Sequence, residues 1–247
     1  MIRQTAAFVA FGCLVTLGVQ GLAGAPAAGA PPSASEHAAV ERFLAQIEKP
    51  PVKYEARRRL EAASTKLNES AWMEAVTAFD PAEGFTYSIV AEGGSERIRN
   101  RVLKAVLKTE QKSASRAEWR EASLSSQNYE FGFGGQAGDG MLKMHLTPRR
   151  RDARLVLGSA LVKATSGSLV RVEGRLSKSP SFWVRWVNVS RSYAPIAGSM
   201  MPVAIESTAD VRIAGMSTFS MTYEYQMVDG QAVNGAINGA TEMFAAR

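Results

Sequence analysis

The sequence predicts a mainly β protein with a smaller helical part, an α+β fold built on an antiparallel sheet. Two observations lead to this prediction. Apolar and polar residues alternate through most of the chain, and only two stretches show the spacing of an amphipathic helix. Removing a predicted export signal leaves about 220 residues, which is enough for one domain with a sizeable core.

The first 30 residues are typical of a cleavable export signal and its leader, so we expect the mature domain to span 31–247. Arg3 precedes an apolar run over 6–22, and small residues follow at Ala23, Ala25, Ala28 and Ala30. Pro26 lies close behind the run and disfavours a permanent membrane anchor. We therefore predict a periplasmic protein. Cys13, the only cysteine, lies inside the signal and fits a lipoprotein signal poorly, which leaves the mature chain without thiol chemistry.

A short helix and a long strand are predicted next. Ser33 and Glu36 form a capping box for a helix that ends before Lys49-Pro50-Pro51. From Val52 to Ala62 apolar residues recur at every second position, as in a strand with one solvated face. Only Arg58 breaks this alternation, at a position where an apolar residue is expected.

Two further strands and the longest helical signal follow. A strand over 71–79 ends at the turn 80–84, and Phe85, Tyr87 and Ile89 mark the third strand. Ser95 is a good N-cap for a helix over 95–113. This helix has a basic face and an apolar stripe, which predicts that it lies across the sheet; the stripe consists of Ile98, Val102, Leu103, Val106 and Leu107.

The remaining pattern predicts strands and no second domain. We expect strands near 127–133, 141–147, 153–163, 168–176, 182–193, 202–213 and 217–228. Polar and glycine-rich turns separate several of them. No internal stretch is long enough to serve as a domain linker, and the tail after Asp229-Gly230 is small and polar.

Composition argues against several functional classes. The net charge is +6, or +5 without Arg3, and small basic clusters occur at 57–59 and 149–151. Such clusters suit anionic lipid headgroups or solvated turns, and no nucleic-acid-binding motif is present. Two distant histidines, His37 and His145, offer no metal-ligand spacing. No nucleophile elbow, phosphate loop or paired carboxylates are recognised, so we predict no enzyme, no cofactor and no metal.

Large apolar side chains are the candidate binding residues. They either fill an ordinary core or line a cavity between the sheet and the 95–113 helix, because a curved sheet of this size encloses a void unless side chains or a helix fill it. The residues predicted to contact a lipid are Trp72, Phe85, Tyr87, Ile89, Val102, Val106, Phe131, Phe133, Leu142, Met144, Trp186, Phe219, Met221 and Tyr223.

The chain resembles the LolA/LolB-like superfamily of periplasmic lipoprotein carriers, which includes the lipoprotein-sensing domain of RseB. The resemblance lies in the Tyr129-x-Phe131 strand, in 142–148 (LKMHLTP), and in 154–202, where a strand, a Ser-Gly turn, an RVEG strand and a long aromatic strand succeed one another. These motifs are loose and structural, and they cover most of the mature chain.

This resemblance implies a curved antiparallel sheet that forms an unclosed β-barrel covered by a helical lid, with 95–113 as the lid. It also implies binding of a lipid or an acylated lipoprotein in the concavity, as in lipoprotein sorting or lipid transport. We expect a monomer with at most a transient envelope partner. The alternative is an envelope interaction or stress-sensing module, similar to RseB, with the same fold and a filled core.

Overall fold

The computed structural model describes residues 33–47, 52–113 and 120–233, so the predicted export signal and most of the tail lie outside the described residues. The helices that contact the sheet are α1 (Ala34–Ile47), α2 (Glu96–Ile98) and α3 (Lys104–Lys112), the last two joined by a π-helical turn (Arg99–Leu103). The strands are β1 (Tyr54–Ser64), β2 (Glu69–Asp80), β3 (Gly84–Gly94), β4 (Tyr129–Gln136), β5 (Met141–Pro148), β6 (Val156–Lys163), β7 (Leu169–Leu176), β8 (Val184–Ile196), β9 (Ser199–Val211), β10 (Gly215–Val228) and β11 (Gln231–Ala232).

One curved antiparallel sheet contains all of these strands. Their order is β3-β2-β1-β10-β9-β8-β7-β6-β5-β4, and the short β11 pairs with β10. Strands that follow one another in the chain are neighbours, except β3 and β4. The β1–β3 series joins the β4–β10 series where β1 pairs with β10, with Leu60 opposite Met221. The end strands β3 and β4 do not pair with each other, so the sheet is an unclosed barrel, as predicted.

The local predictions from sequence agree with these elements. The capping box is present, since the Ser33 amide donates to the Glu36 carboxylate (2.7 Å) and the Glu36 amide donates to Ser33 Oγ (3.4 Å). Each strand predicted between 127 and 228 corresponds to one of β4 to β10. The third strand is longer than predicted, because it continues to Gly94 and meets the N-cap Ser95 directly.

The sheet has an apolar inner face, which carries the helices, and a polar outer face. One row of paired residues on the inner face runs across the sheet from β5 to β2: Met144, Ala160, Val172, Arg191, Ile205, Met221, Leu60 and Met73. The neighbouring outer row reads His145, Ser159, Glu173, Ser190, Glu206, Ser220, Glu61 and Trp72. Alternation along each strand thus separates core from solvent.

Helix α1 lies over the β4–β7 half of the inner face. Its buried residues Ala39 and Phe43 contact a cluster that includes Tyr129, Leu142 and Met144. The Phe43 ring meets the edge of Phe131 with the ring centroids 5.7 Å apart. Arg42 adds donors to the carbonyls of the 164–168 loop, so α1 is held at its flank as well as through its apolar face.

The continuous helical segment 96–112, hereafter the 96–112 helix, lies over the other half, on β1–β3 and β10. Ser95 caps it, because its hydroxyl accepts the Ile98 amide (3.4 Å). Ile98, Val102, Leu103 and Leu107 are buried against this half of the sheet. The predicted apolar stripe therefore faces the sheet, although the π-helical turn was not predicted.

We expect Phe43→Ala to lower the free energy of unfolding by about 3 to 5 kcal/mol, because it removes a ring with no solvent exposure and leaves a cavity under α1. Urea unfolding followed by circular dichroism measures the change. Val90→Ala is the control, since Val90 is 55% exposed and its truncation shifts the free energy by no more than about 0.5 kcal/mol. Equal losses in the two variants would contradict the assignment of this core.

Candidate functional site

The inner face is the candidate site, and it collects most of the residues that the sequence predicted to line it. Twelve of the fourteen lie on this face or on the helix that covers it. Phe131, Phe133, Leu142 and Met144 belong to the cluster under α1. The remaining eight contact the cluster under the 96–112 helix: Phe85, Tyr87, Ile89, Val102, Val106, Phe219, Met221 and Tyr223.

The structure corrects the predicted positions of Trp72 and Trp186, because both residues lie on the outer face and cannot line the concavity. Trp72 alternates with the buried Ala71 and Met73 and lies under the guanidinium of Arg59, 5.0 Å from the ring centre. A register shift between Val184 and Trp186 turns the second tryptophan outward. There it lies beside Arg175, 6.0 Å from the ring centre.

The concavity beneath the 96–112 helix is filled, which differs from the expected void. Leu60 and Met73 from the sheet and Leu103 and Leu107 from the helix have no solvent exposure. Protein interiors packed in this way leave no room for a ligand of several carbons. A ligand reaches this half of the sheet only if the helix moves.

Polar contacts at three points hold the 96–112 helix on the sheet. At its start, the Ser95 hydroxyl donates to Glu69 (2.8 Å). Along its outer side, Arg99 (2.7 Å) and Lys104 (3.0 Å) both donate to the carboxylate of Glu92 on β3. Near its end, Glu110 accepts from Arg58. These contacts fix the position of the helix, while the apolar stripe supplies most of the buried area.

Arg58 is the one fully buried charge among these contacts. Its guanidinium donates twice to Glu110, from Nη1 to Oε2 (2.6 Å) and from Nη2 to Oε1 (3.0 Å), and Nη2 also donates to the Tyr54 hydroxyl (2.5 Å). Its Nε has no hydrogen-bond partner. The aromatic faces of Phe85 (4.9 Å) and Tyr223 (4.6 Å) lie within cation–π distance. The break in alternation at Arg58 was the sequence signal for this site, but it did not identify Glu110.

The surroundings keep Arg58 charged and the nearby tyrosines neutral. Burial alone would lower the pKa of Arg58, but Tyr223, Glu110 and Tyr54 together outweigh it, and the pKa is raised. Burial raises the pKa of Tyr223 to about 12, despite the opposing effect of Arg58. Burial likewise raises the pKa values of Tyr54 and Tyr225. The site therefore holds a permanent cation among neutral hydroxyls.

A second cation stands on the inner face between the two helices. Arg191 pairs with Val172 on one side and Ile205 on the other, so it belongs to the inner row, and its side chain is exposed. Tyr193 contributes most to raising the pKa of Arg191, and Tyr223 raises it further. Within the described residues Arg191 forms no salt bridge with a carboxylate. Sequence reasoning missed it, because Arg191 lies in a strand rich in polar residues.

Other kinds of site find little support in the described parts of the chain. No group of three or more His, Cys, Asp or Glu side chains is arranged there to hold a metal ion. A cleft of about 650 Å³ lies on the outer face, lined by polar groups that include His145, Glu173, Arg175 and Glu206. Most of its lining residues are polar or charged, and Val189 is the one branched aliphatic residue among them. Among these residues no helix is both long enough and apolar enough to cross a bilayer.

An unclosed antiparallel barrel with helices on its inner face is thus the class of structure defined here. No family model and no curated protein sequence matches the chain.

Among solved structures, the chain is similar to a LolA superfamily protein from Nitrosomonas europaea, at 13% identity and a TM-score of 0.37, over 78% of this chain and 92% of that one. It is also similar to a DUF1329 family protein from Desulfovibrio piger, at 8% identity and a TM-score of 0.36, over 87% and 100%. A third structure, described as an outer membrane lipoprotein-sorting protein domain from Vibrio parahaemolyticus, is 9% identical with a TM-score of 0.37, over 85% and 97%. At these levels of similarity, any function proposed for this chain depends on its own residues.

We expect Glu110→Gln to cost about 2 kcal/mol of unfolding free energy, because it leaves the buried Arg58 charge without its carboxylate. Arg58→Met should cost less, since the remaining Glu110 is partly exposed and stays hydrated. Urea unfolding of both variants measures which of them loses more unfolding free energy. Arg57→Gln is the control, because its pair with Glu74 is at the surface and contributes less than about 1 kcal/mol. A larger cost for Arg58→Met than for Glu110→Gln would contradict this account.

The buried tyrosines predict a loss of stability in alkali. The folded-state pKa of Tyr223, about 12, lies above the ordinary value of about 10. The unfolded chain therefore loses this proton first, and the associated stability is present below about pH 10 and lost as the pH rises toward about 12. Unfolding free energies measured across this window should fall. Tyr223→Phe should reduce the slope and leave the contributions of Tyr54 and Tyr225, whose pKa values burial also raises. An unchanged slope would contradict the burial of the Tyr223 hydroxyl.

Proposed function

We propose that this protein is an exported, periplasmic binding protein for the acyl chains of lipids or lipoproteins, and that it has no catalytic role. The observation that carries the proposal is the nature of the contact between the 96–112 helix and the sheet. The helix presents an apolar stripe to an apolar sheet face and is otherwise held by polar contacts at three points. The helix occupies the place that an acyl chain would take, and the ligand displaces it.

The free energies of burial allow an acyl chain to replace the 96–112 helix on the sheet. Burial of an aliphatic side chain contributes about 2 kcal/mol, so the five stripe residues together contribute about 10 kcal/mol. An acyl chain of about 14 methylenes, at about 0.8 kcal/mol each, contributes about 11 kcal/mol when it is buried on the same surface. Ligand and helix are therefore matched competitors for one sheet face, and the polar contacts decide how readily the helix leaves.

Arg191 gives the concavity a place for an anionic group. It stands between the α1 and 96–112 halves, beside Tyr193 and Tyr223, and carries no carboxylate partner among the described residues. A carboxylate or phosphate at the end of an acyl chain would pair with it while the chain lies under the displaced helix. Because apolar residues flank this position on both sides, the arrangement suits a ligand with one charged end.

Binding of a fluorescent long-chain fatty acid to the purified mature protein tests the proposal. We expect saturable binding that Glu110→Gln tightens, because weaker attachment of the helix raises the fraction of the open, competent form. Arg57→Gln is the matched control and should bind like the unaltered protein, since it removes a salt bridge from the outer face. Hydrogen exchange in 96–112 should rise when the fatty acid is added.

The role of Arg191 has its own readout. Arg191→Gln should weaken binding of the fatty acid about tenfold and leave binding of the matching fatty alcohol unchanged, because only the acid carries a charge. Absence of saturable binding in both the unaltered protein and Glu110→Gln would contradict the carrier proposal. So would binding that leaves hydrogen exchange of the helix unchanged.

The filled cluster under the 96–112 helix favours a second candidate, an envelope interaction or stress-sensing module without a ligand. In that case the helix is a permanent part of the core, as the fully buried Leu103 and Leu107 suggest. Native mass spectrometry of protein isolated from an envelope fraction distinguishes the two. Bound lipid supports the carrier, whereas a lipid-free protein with one stoichiometric protein partner supports the module.

A further inference from the structure

We propose that one end of the half-barrel docks on an anionic membrane surface. The docking surface, here called the basic tip, consists of the loops 65–68, 149–155, 177–183 and 212–214 together with Met216. The proposal is independent of the acyl-binding proposal, because it concerns the outside of the sheet end and makes no use of the inner face.

The basic tip carries most of the large apolar side chains that the described residues expose. Phe182 is 74% exposed, Ile213 41%, Met216 40% and Trp183 38%. Elsewhere in the described chain, the large apolar residues of comparable exposure are Val76, Val90 and Leu157, and each of them is an isolated residue within a strand. Apolar groups gathered at one exposed point mark a contact with a partner or a membrane.

Hydrogen bonds make these loops one continuous surface. Arg212 links the β9–β10 loop to the loop before β8, since its amide donates to the Trp183 carbonyl (2.8 Å) and its Nε to the Phe182 carbonyl (3.0 Å). The Thr65 amide donates to Met216, which joins the β1–β2 loop. On the other side, the Asp152 amide donates to Ser177 Oγ (3.0 Å). The aromatic pair therefore lies in the middle of the tip.

The loops of the basic tip carry cations without carboxylate partners. Lys66, Arg151, Lys178 and Arg212 are all exposed, and none forms an ion pair with another described residue. The guanidinium of Arg212 lies over the Phe182 ring, 4.9 Å from its centre. Arg149 and Arg150, in the same loop as Arg151, are paired with the carboxylates of Glu130 and Asp152, so the unpaired positive charge of the tip resides on the other four cations. Charge and apolar surface thus coincide.

The opposite end of the sheet has neither property. Its strand-connecting loops are 81–83, 137–140, 164–168, 197–198 and 229–230, and these contain no lysine or arginine. They contain the acidic residues Glu83, Asp139 and Asp229 instead. None of the large exposed apolar side chains lies in them. The molecule is therefore polarised along its strands, with one end suited to a negative surface and the other not.

A bilayer fits this combination better than a protein does. Trp and Phe partition to the interface between headgroups and acyl chains, and lysine and arginine pair with lipid phosphates at the same depth. Each cation near an anionic membrane contributes about a fivefold change in affinity. A protein partner would require a shaped apolar surface, whereas here the aromatic rings project from loops. The expected ligand is accordingly the headgroup region of a phosphatidylglycerol-containing membrane.

Sedimentation of the mature protein with lipid vesicles tests this proposal. We expect binding to vesicles of phosphatidylcholine with phosphatidylglycerol and little binding to phosphatidylcholine alone. The double variant Lys66→Gln/Lys178→Gln should weaken binding about 25-fold, and Lys108→Gln/Lys163→Gln, which removes the same charge away from the tip, should weaken it far less. Phe182→Ser/Trp183→Ser should abolish binding at moderate salt, while Val76→Ser/Val90→Ser, at exposed strand positions, should not.

Circular dichroism and fatty-acid binding of each variant separate docking from folding and from acyl binding. Loss of vesicle binding with an intact fold and intact fatty-acid binding is the expected result. Equal binding of the tip and control variants would overturn the proposal. So would failure of the unaltered protein to bind anionic vesicles while it self-associates through Phe182 and Trp183 in analytical ultracentrifugation, since the tip would then contact a second copy of the chain.

Discussion

The buried guanidinium of Arg58 is the constraint on which the arrangement of the inner face depends. Apolar packing is non-directional, so the stripe of the 96–112 helix would fit the sheet in several positions. The bidentate pair of Arg58 with Glu110 has one geometry, so it selects one of these positions of the helix. Because the carboxylate is partly exposed, water reaches one side of the pair, and the attachment of the helix is specific without being permanent.

Local structure was predictable because it depends on neighbours in the chain. The period of two identified β1 to β10, and the capping box Ser33/Glu36 and the N-cap Ser95 identified the helix starts. The join of β1 with β10 was not predictable, and neither was the partner of Arg58, because each connects distant segments. The sequence marked Arg58 as an exception to the alternation. It offered no sign that the compensating carboxylate lay 52 positions further along the chain.

The choice of face explains the remaining errors in the candidate site. Size and hydrophobicity suggested that Trp72 and Trp186 point inward, yet smaller residues fill the inner positions beside them: Ala71 and Met73 next to Trp72, and Val187 next to Trp186. Both indoles find arginine partners outside, at Arg59 and Arg175. Arg191 shows the converse case. A charged residue occupies the inner face there because the two helices leave that strip uncovered.

The pairing of β1 with β10 also bears on how the molecule assembles. The β2–β3 hairpin and the series from β4 to β10 join segments that are adjacent in the chain. The sheet becomes continuous only when Leu60 of β1 pairs with Met221 of β10. Closing so long a loop costs entropy before any contact compensates for it, which slows folding. Until then β1 keeps an unpaired edge beside an unshielded arginine. The inner face therefore reaches its full width only after β10, the last long strand of the described chain, has joined β1.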